Sequence, residues 1–90
     1  MNITPQNLIA HELIGIEVQI VESKDPTLMN ISGNIVYETR KMLMLNVNGE
    51  SKMIPKPITK LMLKLSDNVT CVVNGTDLVG RPEDRIQRLI

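Results

Sequence analysis

The chain has 90 residues, with 10 basic side chains, 10 acidic side chains and 42% hydrophobic residues. This length fits one small domain, and the balanced charge with a large apolar fraction excludes a disordered acidic or basic tail. Tyr37 is the one aromatic residue, so the sequence lacks both the platforms on which single-stranded bases stack and the grooves that dock proline-rich peptides.

The N-terminal residues predict a helix over residues 4–14. Thr4 can cap this helix, Pro5 suits its first turn, and Gly15 would end it. Its apolar stripe consists of Leu8, Ile9 and Leu13. The stripe either covers the domain that follows or faces a partner subunit.

Alternation of apolar and polar residues predicts five or six short strands within residues 16–79. The alternating or apolar runs are 16–20, 31–37, 42–47, 50–54, 61–65 and 69–73. Asn48–Gly49 is typical of a type I′ hairpin turn, and Asn74–Gly75 offers a second tight turn. Gly33 predicts a bulge or a close crossing of two strands.

The last segment predicts a second helix over residues 81–90, with Glu83 and Asp84 near the positive end of its dipole. Strands at intervals of about ten residues are typical of a sandwich or a small barrel. Closure removes exposed strand edges, so we expect residues 1–90 to form a single, mainly β domain built on a small antiparallel barrel.

The sequence offers no catalytic constellation. His11 is the one histidine, and a position on the surface or against a partner explains it better than a general base. Cys71 lies in a strand, which favours a small buried hydrophobe over a nucleophile. A single cysteine also excludes an intramolecular disulfide and a thiolate zinc site. We therefore expect no catalysis by the polypeptide and no cofactor bound to it.

The N-terminal residues also bear on location. Residues 1–15 carry no basic segment followed by a long apolar run, so we expect no secretory signal peptide. No run approaches the roughly 20 apolar residues that a membrane-spanning helix requires. These features predict a cytoplasmic protein without a membrane partner.

The charges are unevenly distributed along the chain. The first 39 residues hold five acidic side chains and one lysine, whereas residues 40–64 hold six basic side chains and one acidic one. These basic residues are Arg40, Lys41, Lys52, Lys56, Lys60 and Lys64. Such a stretch is typical of contact with a phosphate backbone, although a solvated face of an ordinary soluble domain would look the same.

Six sequence segments, taken together, resemble one known family. They are His11–Gly15, Val18–Glu22, Asp25–Thr27, Gly33–Val36, Glu38–Arg40 and the closing Leu78–Arg85. Their order and spacing are similar to those of archaeal ribonuclease P protein component 1, a family related to a subunit shared by eukaryotic ribonucleases P and MRP. The matching segments extend over nearly the whole chain.

The resemblance implies a twisted antiparallel barrel of the Sm/SH3-like kind with helical extensions. It also implies a place in the ribonucleoprotein that removes the 5′ leader of precursor tRNA, where the RNA hydrolyses the phosphodiester with magnesium ions. The implied partners are the ribonuclease P RNA, a zinc-ribbon protein subunit and the other ribonuclease P protein subunits. The zinc would belong to the zinc-ribbon partner.

The resemblance and the charge pattern together give the candidate site residues. Arg81 and Arg85 of the closing segment, with Arg40, are the first candidates for contact with RNA phosphates. The charge pattern adds Lys41, Lys52, Lys56 and Arg88. For Arg81, an ion pair with a carboxylate of the barrel is an equal alternative. The residues implied to face the protein partner are Leu8, Ile9, Leu13, Ile16 and Val18.

The chain departs from the family in one strand. Leu61, Leu63 and Leu65 stand where we expect aromatic residues in relatives, so ring stacking on RNA is not expected there. Two other functions remain open: an Sm-like ring that holds single-stranded RNA, and an SH3-like module that binds only protein. The native mass would identify a ring, and co-purification of a partner without RNA would identify a protein-binding module.

Overall fold

Six strands form one antiparallel sheet in the described part of this computed structural model, which comprises residues 13–81 and Arg85. The strands are β1 (Glu17–Ser23), β2 (Ser32–Glu38), β3 (Met42–Val47), β4 (Glu50–Pro55), β5 (Thr59–Ser66) and β6 (Val69–Asn74). Their order across the sheet is β4-β3-β2-β1-β5-β6. The prediction of a mainly β, antiparallel domain of five or six strands is confirmed.

The predicted barrel is corrected to an open sheet. β4 and β6 lie at the two ends of the strand order, and within residues 13–81 no ladder joins them. Both edge strands are only six residues long. β4 also ends at Pro55, which has no N–H group to donate to a further strand. The expectation of a closed Sm/SH3-like barrel is therefore wrong, although the positions predicted for the strands are correct.

The two Asn-Gly pairs behave differently. Asn48 and Gly49 have φ angles of +52° and +87°, the pair of positive values that a type I′ turn between β3 and β4 requires. Asn74 instead ends β6, and Gly75 begins a 3₁₀ helix, Gly75–Leu78. A Cβ at Gly75 would lie 1.8 Å from the carbonyl oxygen of Lys56, so glycine is required there for close packing and not for a hairpin.

The hydrophobic core lies on one face of the sheet. Paired core residues such as Val18 with Leu63, and Leu43 with Ile54, face the same side of neighbouring strands. The buried set is Leu13, Ile16, Val18, Ile20, Ile35, Leu43, Leu45, Ile54, Leu61, Leu63 and Leu78. The strand period of two therefore predicts the buried face of β1 and β5 correctly.

Three residues predicted to face a protein partner belong to this core. Leu13, Ile16 and Val18 are only 0%, 7% and 2% exposed. Their side chains pack under the sheet, where they are not available to another subunit, so that prediction is corrected. Leu8 and Ile9, the other two, lie outside the described residues.

The helices of the described residues are short 3₁₀ segments: Pro26–Leu28, Lys56–Ile58 and Gly75–Leu78. None of the helices in this part of the chain has the length and hydrophobicity needed to cross a membrane. The predicted helix over residues 4–14 lies almost wholly outside the described residues, as does most of the helix predicted over 81–90. At the start of the latter, Arg85 N donates to Arg81 O over 3.0 Å, the hydrogen-bond pattern of an α-helical turn.

Gly33 marks the close crossing that the sequence predicts. A Cβ at this position would lie 2.3 Å from Asn46 O and 3.2 Å from Val47 Cγ2 on β3. We expect Gly33→Ala to lower the free energy of unfolding by about 1–3 kcal/mol, because β2 and β3 must move apart. Urea unfolding checks this, with the exposed neighbour Ser32→Ala as control. An unfolding midpoint equal to that of the wild type would contradict the close crossing.

Candidate nucleic-acid interface

A β-bulge in β2 directs Glu38 into the protein. Ile35 pairs with Leu45, but the next pair is Tyr37 with Met44, so Val36 is an extra residue in the ladder. The bulge shifts the alternation by one residue. Ile35 and Glu38 consequently share the core face, and Tyr37, which simple alternation would bury, is 52% exposed.

Glu38 forms the centre of a buried ion cluster with Lys56 and Arg85. Lys56 Nζ lies 2.8 Å from Glu38 Oε2, and Arg85 Nη1 lies 3.1 Å from the same oxygen. Arg85 Nη2 donates to Glu38 Oε1 over 3.2 Å, so the guanidinium and the carboxylate form a two-point pair. The Lys56 and Arg85 side chains are fully buried. The cluster therefore joins β2, the 3₁₀ helix after β4 and the C-terminal segment.

The same two cations hold backbone carbonyl groups from distant parts of the chain. Lys56 Nζ donates to Thr39 O over 2.8 Å and to Gly80 O over 3.1 Å, with Arg40 O at 3.4 Å. Arg85 Nη1 donates to Leu78 O over 3.1 Å and also to Gly80 O. These bonds satisfy polar groups that burial would otherwise leave without water.

Burial by itself would raise the pKa of Glu38. Hydrogen bonds and positive charge from Arg85 and Lys56 outweigh that effect and hold the pKa of this carboxyl below its ordinary value of 4.5. Glu38 is therefore ionised in the folded protein at neutral pH and remains so in mild acid.

The lowered pKa predicts how stability depends on pH. The pKa of Glu38 is lower in the folded protein than in the unfolded chain, where it is about 4.5. Such a carboxyl stabilises the fold at pH values above the unfolded pKa, and this stabilisation is lost as the pH falls through the folded pKa. We expect the difference in unfolding free energy between wild type and Glu38→Gln to be constant near neutral pH and to shrink below about pH 4.5.

Urea unfolding of both proteins across this pH range is the measurement. The comparison cancels the titration of Asp25, whose pKa is lowered by the hydrogen bonds from Thr27 and which both proteins share. A difference that grows as the pH falls would contradict the assignment of Glu38 as the shared carboxylate.

The sequence predicts that Lys56 and Arg85 contact RNA phosphate, and the structure corrects both predictions. Each side chain is 0% exposed and directed at Glu38 and backbone carbonyl groups. A buried ion pair of the kind considered for Arg81 is formed by Arg85, four residues later. Arg81 itself has an exposed side chain. Arg88, also predicted to contact RNA, lies outside the described residues.

The remaining basic candidates lie around the loop between β2 and β3. We call residues 39–41 the basic loop. Arg40 and Lys41 are exposed, and Gly80 N donates to Arg40 O over 2.6 Å, which places Arg81 beside them. Lys52 is exposed on β4, three residues before Pro55 and thus about 10 Å along the strand. The hydrogen bond between Gly80 and Arg40 therefore places Arg81 next to the basic loop, with Lys52 farther away on the edge strand β4.

The acidic and basic parts of the sequence do not form separate surfaces. β1 and β5 are neighbours, and Glu17 pairs with Lys64 across them while Glu22 pairs with Lys60. Glu17 Oε2 and Lys64 Nζ are 3.7 Å apart, and both side chains are about half exposed. The uneven distribution of charge along the sequence therefore does not give separate acidic and basic faces in this region, since the sheet places the two charges side by side.

Glu38 is the important residue that sequence reasoning misses. The charge pattern groups it with the acidic residues of the first part of the chain, and the alternation of β2 places it away from the core. The signal that singles it out is its position next to Thr39 and Arg40 in a segment shared with the family. Only the bulge, which depends on pairing with β3, turns its carboxylate inward.

Metal and thiol chemistry receive no support from the part of the chain that the structure describes. Within residues 13–81 and Arg85, no three side chains of the His, Cys, Asp or Glu type lie together as metal ligands would. Cys71 is a free, half-buried thiol packed against the core, as the interpretation of a small hydrophobe predicts.

Comparison with known proteins gives one consistent family. The family model of ribonuclease P/MRP subunit p29 matches residues 6–88. Proteins named ribonuclease P protein component 1 from Thermofilum pendens and Methanococcus aeolicus are each 44% identical to this chain. The Thermofilum pendens match covers 100% of this chain and 97% of the relative. The Methanococcus aeolicus match covers 98% of this chain and 93% of the relative.

A solved structure gives the same result. Mth11, described as a homologue of human RNase P protein Rpp29, superposes with a TM-score of 0.62 at 36% identity, over 83% of this chain and 97% of that one. The family expected from the six sequence segments is thereby confirmed. The chain belongs to the ribonuclease P/MRP subunit p29 family, the family of the ribonuclease P protein component 1 proteins.

Proposed function

We propose that this chain is a non-catalytic subunit of ribonuclease P that binds the ribonuclease P RNA and supports it during removal of the 5′ leader of precursor tRNA. The observation that carries the proposal is the group of exposed cations, Arg40, Lys41 and Arg81, held together at one end of the sheet. Membership of the family supplies the identity of the RNA.

The proposed mechanism is electrostatic contact with the phosphate backbone of folded RNA. An arginine guanidinium can bind a phosphate with two parallel hydrogen bonds, and a lysine ammonium contributes a point charge. Tyr37 is the one aromatic ring of the sequence, so stacking on several bases is not available. The chain would therefore recognise the shape and charge of the RNA more than its base sequence.

The chemistry and the protein partners follow from the same proposal. Hydrolysis of the phosphodiester would be performed by the RNA with its magnesium ions, and the polypeptide would not cleave precursor tRNA alone. A zinc-ribbon ribonuclease P subunit would be the direct protein partner, together with the other protein subunits, in the cytoplasm. Because Leu13, Ile16 and Val18 are buried in the core, the partner surface proposed for the N-terminal part reduces to Leu8 and Ile9.

Reconstitution tests this proposal. The ribonuclease P RNA is assembled with the other subunits, with and without this chain, and cleavage of precursor tRNA is measured at limiting magnesium. We expect a faster reaction with the chain present and no cleavage by the polypeptide alone. Equal rates with and without the chain, or single-turnover cleavage by the polypeptide in the absence of RNA, would contradict the proposed role.

A further inference from the structure

The conformation of the basic loop depends on groups that lie beneath it. Residues 39–41 connect β2 to β3, and their carbonyl groups are all engaged: Thr39 O and Arg40 O with Lys56 Nζ, and Lys41 O with Lys56 N over 2.7 Å. Gly80 N also donates to Arg40 O. One buried lysine therefore bonds all three residues of the loop.

These bonds order the backbone of a loop whose cations are exposed. The carbonyl groups of Thr39 and Arg40 point toward the interior ammonium group of Lys56, and Arg40 and Lys41 are both exposed at the surface. Thr39 and Met42 are bonded to each other across the base of the loop. Met42 N donates to Thr39 Oγ1 over 3.1 Å, and Thr39 N donates to Met42 O over 2.9 Å.

The third cation of the candidate interface is held by the same cluster. Gly80 O accepts from both Lys56 and Arg85, and Gly80 has a φ of +104°, a left-handed conformation that glycine adopts without strain. Arg81 follows directly and is exposed. Two segments separated by about 40 residues in the sequence thus share one buried cation, Lys56.

We infer that Lys56 and Arg85 are positioning residues for RNA binding, which order the backbone of the basic loop and of Gly80 from which Arg40, Lys41 and Arg81 contact neighbouring phosphates. The inference rests on the proposed function, because it assumes that these exposed cations contact RNA. According to this inference, Lys56 and Arg85 raise the affinity for RNA without touching it, because they hold the backbone that carries the exposed cations. Preformed geometry raises affinity because the loop is already ordered before the RNA binds.

A double-mutant cycle tests the inference. Affinity for the ribonuclease P RNA is measured for Lys56→Met in the wild-type background and in an Arg40→Ala/Lys41→Ala/Arg81→Ala background, each protein being shown to be folded by circular dichroism. We expect Lys56→Met to weaken binding about tenfold in the wild type. In the alanine background we expect less than about a twofold change, because the side chains that Lys56 positions are already absent.

Two further variants separate positioning from general destabilisation. Ile20→Val removes a methyl group from the core in the middle of β1 and should leave RNA affinity unchanged in both backgrounds. Arg85→Lys keeps the charge but loses the two-point pair with Glu38, and it serves if Lys56→Met does not fold. We expect it to weaken binding in the wild-type background and not in the alanine background.

The outcomes distinguish the two proposals. If Arg40→Ala/Lys41→Ala/Arg81→Ala leaves RNA affinity unchanged, the proposed contact of these three cations with RNA is wrong. If the alanine variant binds weakly but Lys56→Met or Arg85→Lys lowers affinity by the same factor in both backgrounds, the contact stands and the positioning inference is overturned.

Discussion

Replacing Glu38 with glutamine is expected to lower the free energy of unfolding by about 3–5 kcal/mol. The substitution keeps the size of the side chain but removes the carboxylate that Lys56 and Arg85 share, and it turns an amide N–H₂ group toward at least one of the two cations. Since small domains are stable by about 5–15 kcal/mol, this is a large part of the total.

Urea unfolding followed by circular dichroism measures the effect, and Glu17→Gln is the matched control. Glu17 also forms an ion pair, with Lys64, but at 3.7 Å and in solvent. Exposed pairs of this kind contribute about 1 kcal/mol at most. Equal losses in the two variants would mean that the buried ion cluster is no more important for stability than a surface pair.

Reversing the charges of Arg40 and Lys41 together is expected to weaken binding to the ribonuclease P RNA by roughly a hundredfold or more. Each charge-assisted hydrogen bond to a phosphate is worth about 1.5 kcal/mol or more, and about 1.4 kcal/mol is tenfold in affinity. The plot of log K against log salt concentration should also become flatter, by roughly 0.7–0.9 for each phosphate that the variant no longer neutralises.

The matched control carries the same change of charge elsewhere on the sheet. Lys60 and Lys64 lie on β5 opposite Glu22 and Glu17, and β1 separates that strand from β2 and the basic loop. Lys60→Glu/Lys64→Glu should reduce RNA affinity much less and leave the salt slope unchanged. A loss of affinity of equal size in the two double variants would show that only the total charge matters, and an unchanged slope for Arg40→Glu/Lys41→Glu would exclude phosphate binding at the loop.

The strands of this protein can be predicted because their signals are local. β3 begins and ends where its apolar run does, at Met42 and Val47, and the Asn48–Gly49 turn fixes the register with which β4 returns. In β5, the leucines at 61 and 63 are buried while Lys64 is exposed, as alternation requires. Such patterns are present in a few neighbouring residues and need no knowledge of the rest of the chain.

Closure of the sheet and the buried ion cluster cannot be predicted in the same way. Whether β4 pairs with β6 depends on the curvature of the whole sheet. The direction of the Glu38 side chain depends on an extra residue in the ladder between β2 and β3. The buried position of Lys56 depends on contacts such as its hydrogen bond to Gly80 O, 24 residues later in the sequence. A charge pattern treats every lysine as exposed, which is why it assigns Lys56 to the surface. The resemblance to the family likewise gives Arg85 as an RNA contact without indicating that its side chain is buried.

The central claim is that RNA binds at the basic loop and not on the face of the sheet opposite the core, where Lys60 and Lys64 lie. Acetylation of lysines with and without the ribonuclease P RNA, measured by mass spectrometry, tests this claim most directly. We predict that RNA protects Lys41 and Lys52 while Lys60 and Lys64 stay reactive. Lys56, which is fully buried, should be unreactive in both states and so serves as an internal control. Protection of Lys60 and Lys64 with Lys41 still reactive would contradict the account.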